Sequence, residues 1–330
     1  MIALSKDQHD WGFASGRVSV LEGRLVPTEF FHALVAIEHS DDLLHRLQET
    51  QMREYLVPGA TWEDWSAITD TYFCDHVASL RKDSPEPTVS DLFALSNDYL
   101  NLKRALLNLG TYPMTCGTFT EDLLASVAAG NLGALPREVR EPLAQFSGGF
   151  AADPNARIAL DIVLDGAYLR QILALGDSLD APMIRSWLSE MTLARAAVAL
   201  WRAARGGVSL RLYQQYFLPV GEHTAALSEM IASGEPQNWG AIIPGEIGDL
   251  WQEAQQADED EQIMRFGVLM YNRLTAMARR GRLQTMGPER VFGYLWGLLV
   301  EIYNLKLIIT GRLNGIDPDL LRRRLRDAYV

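Results

Sequence analysis

The chain has 330 residues, 48% of them apolar, a net charge of −12 and a mean hydropathy of −0.04. That length holds one large domain or two to three small ones, and the composition excludes a disordered chain. The acidic balance repels phosphate backbones, which excludes nucleic acid as the main partner.

Leu and Ala dominate while β-branched runs are scarce, which favours helix over sheet. The first residues, Met1 to Trp11, carry Lys6, Asp7 and Asp10 and no apolar run, so no signal peptide is expected. Phe30, Phe31, Leu34, Val35 and Ile37 then recur at helical spacing. His32, His39 and His45 fall in this region. Ring spacings of two turns do not suit one zinc ion, so no metal site is expected. Asp41-Asp42 is followed by Leu43, Leu44 and His45, which breaks the DDxxD spacing needed to hold magnesium and diphosphate. Cys74 and Cys116 are two isolated cysteines. They make neither a disulfide framework nor a zinc site and fit a reducing cytoplasm.

A second apolar stripe runs Ile158, Leu160, Ile162, Val163, Tyr168, Leu169, Ile172, Leu173, and a third runs Ile263, Phe266, Leu269, Met270, Leu274, Met277. Breakers separate the stripes: Pro85 and Pro87, Pro136, Gly148-Gly149, Pro182, and Gly234 with Pro236. Acidic residues gather at Asp258, Glu259, Asp260 and Glu261. Basic ones gather at Arg279, Arg280 and Arg282 and again at Arg322, Arg323, Arg324 and Arg326. These runs read as solvated helix faces or as docking surfaces of opposite sign. The eight tryptophans sit mostly within apolar stripes and are expected in the core.

The stretch 291–310 has the ~20 apolar residues of a membrane span. Glu301, Asn304 and Lys306 argue against insertion, since each charge near a bilayer centre costs about 2.5–3.5 kcal/mol. A helix buried in a soluble bundle explains the same pattern.

Three segments look alike. Asn101-Leu102-Lys103-Arg104-Ala105-Leu106 runs on to Gly110, Thr192-Leu193-Ala194-Arg195-Ala196-Ala197 to Gly206, and Asn304-Leu305-Lys306-Leu307-Ile308-Ile309 to Gly311. Each precedes a short helix rich in Leu, Tyr or Phe. In the third copy Asp317 is the expected N-cap, with Pro318 at the first helical position. The predicted fold is all-α, with tandem modules 1–147, 148–237 and 238–330, the first carrying an insertion.

No chemistry assembles around these elements. There is no GxxxxGK[ST] phosphate loop, and no Ser, Cys or His has a recognisable nucleophile setting. The chain is expected not to be an enzyme by itself and to need no cofactor.

A family becomes recognisable at the C-terminal end. Gly287-Pro288-Glu289, Val291 to Leu295, Glu301 to Lys306, Gly311 to Ile316 and Leu320 to Val330 resemble the end of A/V-type rotary ATPase C subunits, called subunit d in eukaryotic vacuolar enzymes. Asn97 to Lys103 and Arg17 to Leu25 are similar to that family's earlier helices. Thr192 and Ala194 depart from the pattern of the second repeat, as does Trp11-Gly12-Phe13-Ala14 from that of the opening helix.

The resemblance implies three helical modules in a pseudo-threefold, funnel-like arrangement. It also implies a non-catalytic stalk subunit joining the shaft subunits D and F to the membrane proteolipid (c/K) ring. Such a subunit is cytoplasmic and peripheral on the inner face of the membrane, which it touches only through the ring. Asn101, Lys103, Asn304, Lys306, Gly311, Asn314 and Gly315 become structural motif residues, and Arg322, Arg323, Arg324 and Arg326 a candidate interface. A helical scaffold of another multiprotein complex is the alternative.

Overall fold

The computed structural model describes residues 11–37, 40–56, 64–110, 116–144 and 154–330. Among them every regular element is helical and no strand occurs, so the fold is all-α. His39, Trp62, Gly148-Gly149 and the 147/148 module boundary lie outside the described residues.

In chain order the helices are α1 (Gly12–Glu22), α2 (Thr28–Val35), α3 (Ser40–Leu47), α4 (Trp65–Asp83), α5 (Thr88–Leu106), α6 (Glu121–Ala128), α7 (Arg137–Leu143) and α8 (Pro154–Asp177). Then come α9 (Pro182–Arg205), α10 (Leu210–Tyr216), α11 (Thr224–Ser233), α12 (Trp239–Ile242), α13 (Glu246–Ala254), α14 (Gln262–Ala278), α15 (Pro288–Leu313) and α16 (Pro318–Arg324). Contacts divide the chain into two compact units. Unit 1 is Met1–Ser90, Ala181–Trp187 and Met264–Val330; unit 2 is Asp91–Asp180 and Leu188–Ile263.

Unit 1 is organised around α15. Gly287, at φ 138°, turns the chain into it, and Pro288 takes the first turn, where its missing N–H costs nothing. Glu289 and Arg312 suit the two ends of the helix dipole. This is the helix long and apolar enough to cross a membrane, yet 78% of its apolar window is buried inside the protein. It packs against α1, α2, α3, α4, α16 and the 3-10 turn Arg279–Leu283. Trp187 meets Phe292 and Trp296 edge-on, and its indole N–H donates to the Leu274 carbonyl at 2.9 Å. Trp296 donates to Thr275 Oγ1 at 3.0 Å. Both polar edges of this aromatic cluster are therefore satisfied, as buried indoles require.

In unit 2, α8 packs against α7 and α10, and α13 against α12. Gly166 on α8 lets the Phe217 backbone approach, and a Cβ there would lie 2.6 Å from the Phe217 oxygen. Arg170, one turn on, donates to that same carbonyl at 2.7 Å. Trp239 and Trp251 lie 5.8 Å apart with their rings tilted at 39°, and donate to Ser233 Oγ and the Pro236 carbonyl. All seven described tryptophans are buried.

The repeated helix ends share one device. The backbone adopts the left-handed conformation at Asn108, Gly207 and Gly315. The N–H of the next residue then reaches back to the carbonyl of Arg104, Ala203 and Gly311, at 3.0, 2.9 and 2.9 Å. This is the Schellman stop, which satisfies carbonyls orphaned at a helix end. It corrects the expected stops in all three copies. Gly110 lies past the first, Gly206 precedes the second, and Gly311 is inside α15, where a Cβ would strike Leu321 of α16. Asp317 caps α16 by accepting from the Asp319 N–H at 2.9 Å, with Pro318 at the first position as its sequence predicts.

Neither cysteine is a free thiol; Cys74 and Cys116 are both disulfide-bonded. That overturns the expectation of two isolated thiols, because a count in sequence carries no information on spatial pairing.

Candidate interaction site

Asn304, one of the residues carrying the family resemblance, holds a strap formed by residues 325–330. α16 stops at Arg324, so the predicted basic helix does not extend to Arg326. The backbone beyond it is held on both edges. Asn304 donates through Nδ2 to the Arg326 carbonyl at 2.8 Å and accepts from the Arg326 N–H at 3.0 Å. Asn272 accepts from the Asp327 N–H at 2.9 Å, and Arg279 donates to the carbonyls of Ala328 and Tyr329. An Asn suits position 304 because its side chain offers a donor and an acceptor to the backbone N–H and C=O of one residue.

The strap ends in a ring. Tyr329 is fully buried against Gly293 and Gly297, one turn apart on α15. A Cβ at either glycine would lie 2.5–2.6 Å from Tyr329 atoms, so the glycines are the slot for this ring. Its hydroxyl donates to Glu22 at 3.2 Å, and Glu22 pairs with Arg290 at 2.8 Å with both side chains largely buried. Burial of the ring and the Glu22 charge push the Tyr329 phenol above its ordinary range.

A second buried carboxylate lies on the same helix. Glu301 is enclosed, and its Oε2 accepts from the Val26 N–H at 2.8 Å, which fixes the turn between α1 and α2. Burial raises its pKa to about 7, against the opposing effect of that hydrogen bond. Nearby, the Tyr294 hydroxyl lies 2.8 Å from Nδ1 of His76. Burial, with the charge of Arg17 beside it, lowers His76 to about 4. That shift favours the neutral imidazole, which shares one hydrogen bond with the Tyr294 hydroxyl.

Four of the predicted motif residues, Lys103, Asn304, Lys306 and Asn314, bond to other residues of their own unit. Asn101 is buried. Lys103 pairs with Asp161 and Lys306 with Asp70, each at 2.6 Å and partly exposed. Asn314 donates to the Thr310 carbonyl at 2.7 Å, closing the last turn of α15. Exposed pairs contribute little, so Lys103→Ala and Lys306→Ala are each expected to lower stability by less than about 1 kcal/mol in urea melts. Of the candidate interface arginines, Arg322 binds Asp319 at 2.5 Å and Arg323 is exposed. Arg324 is half-buried. Arg326 lies between the rings of Tyr271 and Tyr303, at 4.5 and 5.2 Å.

Asp98 belongs to the stretch Asn97 to Lys103 that carries the family resemblance, though its partners were not foreseen. It accepts from Thr118 Oγ1 at 2.7 Å and from the Phe119 N–H at 2.8 Å, pinning the loop before α6. The acidic run is engaged within unit 2, where Arg205 contacts Glu259 and Asp260. Unit 1 has a cleft of about 270 Å³ lined by Arg17, Arg24, Tyr55 and His76 among others. Unit 2 has one of about 340 Å³ lined by Lys103, Asp161, Asp165 and Arg195 among others. Asp75 and Ser79 also line the first, and the described residues contain no metal-holding group of three or more His, Cys, Asp or Glu.

These features define a helical scaffold whose polar residues fasten its own elements together. The family model for the ATP synthase (C/AC39) subunit matches residues 14–324, and the chain belongs to that family. It is a subunit of a V/A-type rotary ATP synthase complex, peripheral to the membrane. No curated protein matches the chain.

Proposed function

We propose that the chain is the non-catalytic central-stalk adaptor of this complex. It links the shaft subunits D and F to the membrane proteolipid ring, on the cytoplasmic face, and transmits torque between them. The family match from residue 14 to residue 324 carries this reading. The recurring helix, left-handed stop and short helix support it further, as the ends of three modules spanning 1–147, 148–237 and 238–330. A part that transmits torque needs elements that do not slide. The strap on α15 and the Glu22–Arg290 pair supply such fastening within unit 1. Arg322 and Arg323, on the exposed side of α16, are the interface cations of this proposal.

The test is capture of purified D–F shaft and of detergent-solubilised ring by the immobilised chain. Both are expected to bind. Reversing Arg322 and Arg323 to Glu should weaken one of them at least tenfold at low salt and little at high salt. Capture of neither folded partner would overturn the proposal and favour a scaffold of another complex.

A further inference from the structure

The three most exposed large apolar side chains among the described residues lie in unit 1, on α1 and on a turn whose following segment rests on α1. Leu283 is 86% exposed, Phe13 69% and Val20 59%. Phe13 and Val20 are two turns apart on one face of α1, with Gly16 between them opening onto empty space. Leu283 ends the 3-10 turn Arg279–Leu283. The segment after it rests on α1, where the Gly287 N–H donates to Ser15 Oγ at 3.3 Å. A Cβ on Gly12 would sit 3.7 Å from Met286 Sδ, in ordinary contact.

The exposed charges here are basic, while Glu22 of α1 is buried and paired with Arg290. Arg24 follows α1 on its exposed side, and Arg280 and Arg282 flank the apolar tip of the turn; all three are exposed. Among the described residues none of the three is in an ion pair, Arg24 shares the unit 1 cleft with Glu54 and Asp75, and Arg282 lies over the Tyr329 ring at 5.7 Å. In a chain of net charge −12 this is a local reversal.

We infer that this face binds an anionic lipid surface directly, with Phe13, Val20 and Leu283 entering the headgroup layer and Arg24, Arg280 and Arg282 meeting phosphates. Large side chains this exposed are unusual on a soluble surface, and three on adjoining elements form a patch. A folded protein partner would need a matching hollow for each protruding side chain. A headgroup layer is fluid and accepts them at any spacing. Apolar tips beside unpaired arginines are the composition of peripheral membrane anchors. The inference adds a second foothold to the ring contact proposed above and does not depend on it.

The experiment is co-sedimentation of the full chain, without shaft or ring, with vesicles of phosphatidylcholine containing 30% phosphatidylglycerol, and with phosphatidylcholine alone. Binding is expected to the anionic vesicles only and to fall as salt rises from 50 to 500 mM. R24E/R280E should lower it at least about thirtyfold, from ~1 kcal/mol per arginine near an anionic surface. F13E/L283E should lower it at least tenfold. Unchanged thermal melts of both variants would establish that these surface changes leave the fold intact. Failure of the wild-type chain to bind anionic vesicles, equal binding to neutral ones, or full binding by either folded variant would overturn the inference. Capture of shaft or ring is a separate measurement and bears only on the adaptor role.

Discussion

Tyr329→Ala is expected to destabilise unit 1 by about 3–5 kcal/mol, the range for removing a large buried aromatic side chain. The ring fills a slot that exists only because Gly293 and Gly297 carry no side chains. Removing it leaves a cavity on the most buried helix of the unit and releases the strap from one end. Tyr329→Phe separates packing from hydrogen bonding. It keeps the ring and loses only the bond to Glu22, a charged acceptor, so about 1.5–3 kcal/mol is expected. Gly297→Leu attacks the slot from the other side, because its side chain would need the space that Tyr329 Cβ and Cγ occupy. It should be at least as damaging as Tyr329→Ala. Urea unfolding followed by tryptophan fluorescence gives the comparison, since Trp187 and Trp296 report on this unit. A Tyr329→Ala chain as stable as the wild type would show that the strap is not part of the folded core.

Glu301 should set a pH dependence of opposite sign to that of an ordinary paired carboxylate. Its folded pKa of about 7 lies above the ordinary value of 4.5, so the folded state holds its proton more tightly than the unfolded chain. Its contribution is fully present below pH 4.5 and is lost as pH rises through about 7. At ~1.4 kcal/mol per pKa unit, the loss across that window is about 3 kcal/mol. Glu301→Gln retains an oxygen for the Val26 N–H and removes the charge. It is expected to match the wild type near pH 5 and to exceed it by about 3 kcal/mol at pH 8. His76 works the other way. Its folded pKa of about 4 lies below 6.5, so stability is gained as pH rises through that interval. Both chains carry His76, so subtracting the Glu301→Gln profile from the wild-type one isolates Glu301. A flat difference between pH 5 and 8 would refute the argument.

Local features were legible in the sequence. The Asp317-Pro318 helix start follows from two residues whose chemistry permits little else. The interruption of the stretch 291–310 by Glu301 and Asn304 correctly pointed to a buried helix rather than a membrane span. What stayed hidden was the partner of each polar residue. Glu301 meets Val26 and Glu22 meets Tyr329 across most of the chain, and no periodicity carries such pairings. Gly293 and Gly297 look like weak points in a helix until the ring that fills them is known. Arg326 looked like surface charge for the same reason, because the rings that hold it come from α14 and α15. The helix stops were misplaced by one to four residues, since nearby glycines fit the pattern equally well and the first stop falls on Asn108, which only the backbone angle identifies.

The strap also has a consequence in time. Unit 1 is assembled from both ends of the chain, while unit 2 comes from the middle. During synthesis from the N-terminus, the residues up to Ser90 emerge long before α15, against which α1, α2 and α4 pack. Unit 2 has all its residues once Ile263 has been made, so it is free to fold first. The earliest helices must wait with their apolar faces uncovered until the final residues arrive. A ribosome stalled between Ile263 and Tyr329 would therefore present one finished unit and one open one, a form suited to chaperone capture.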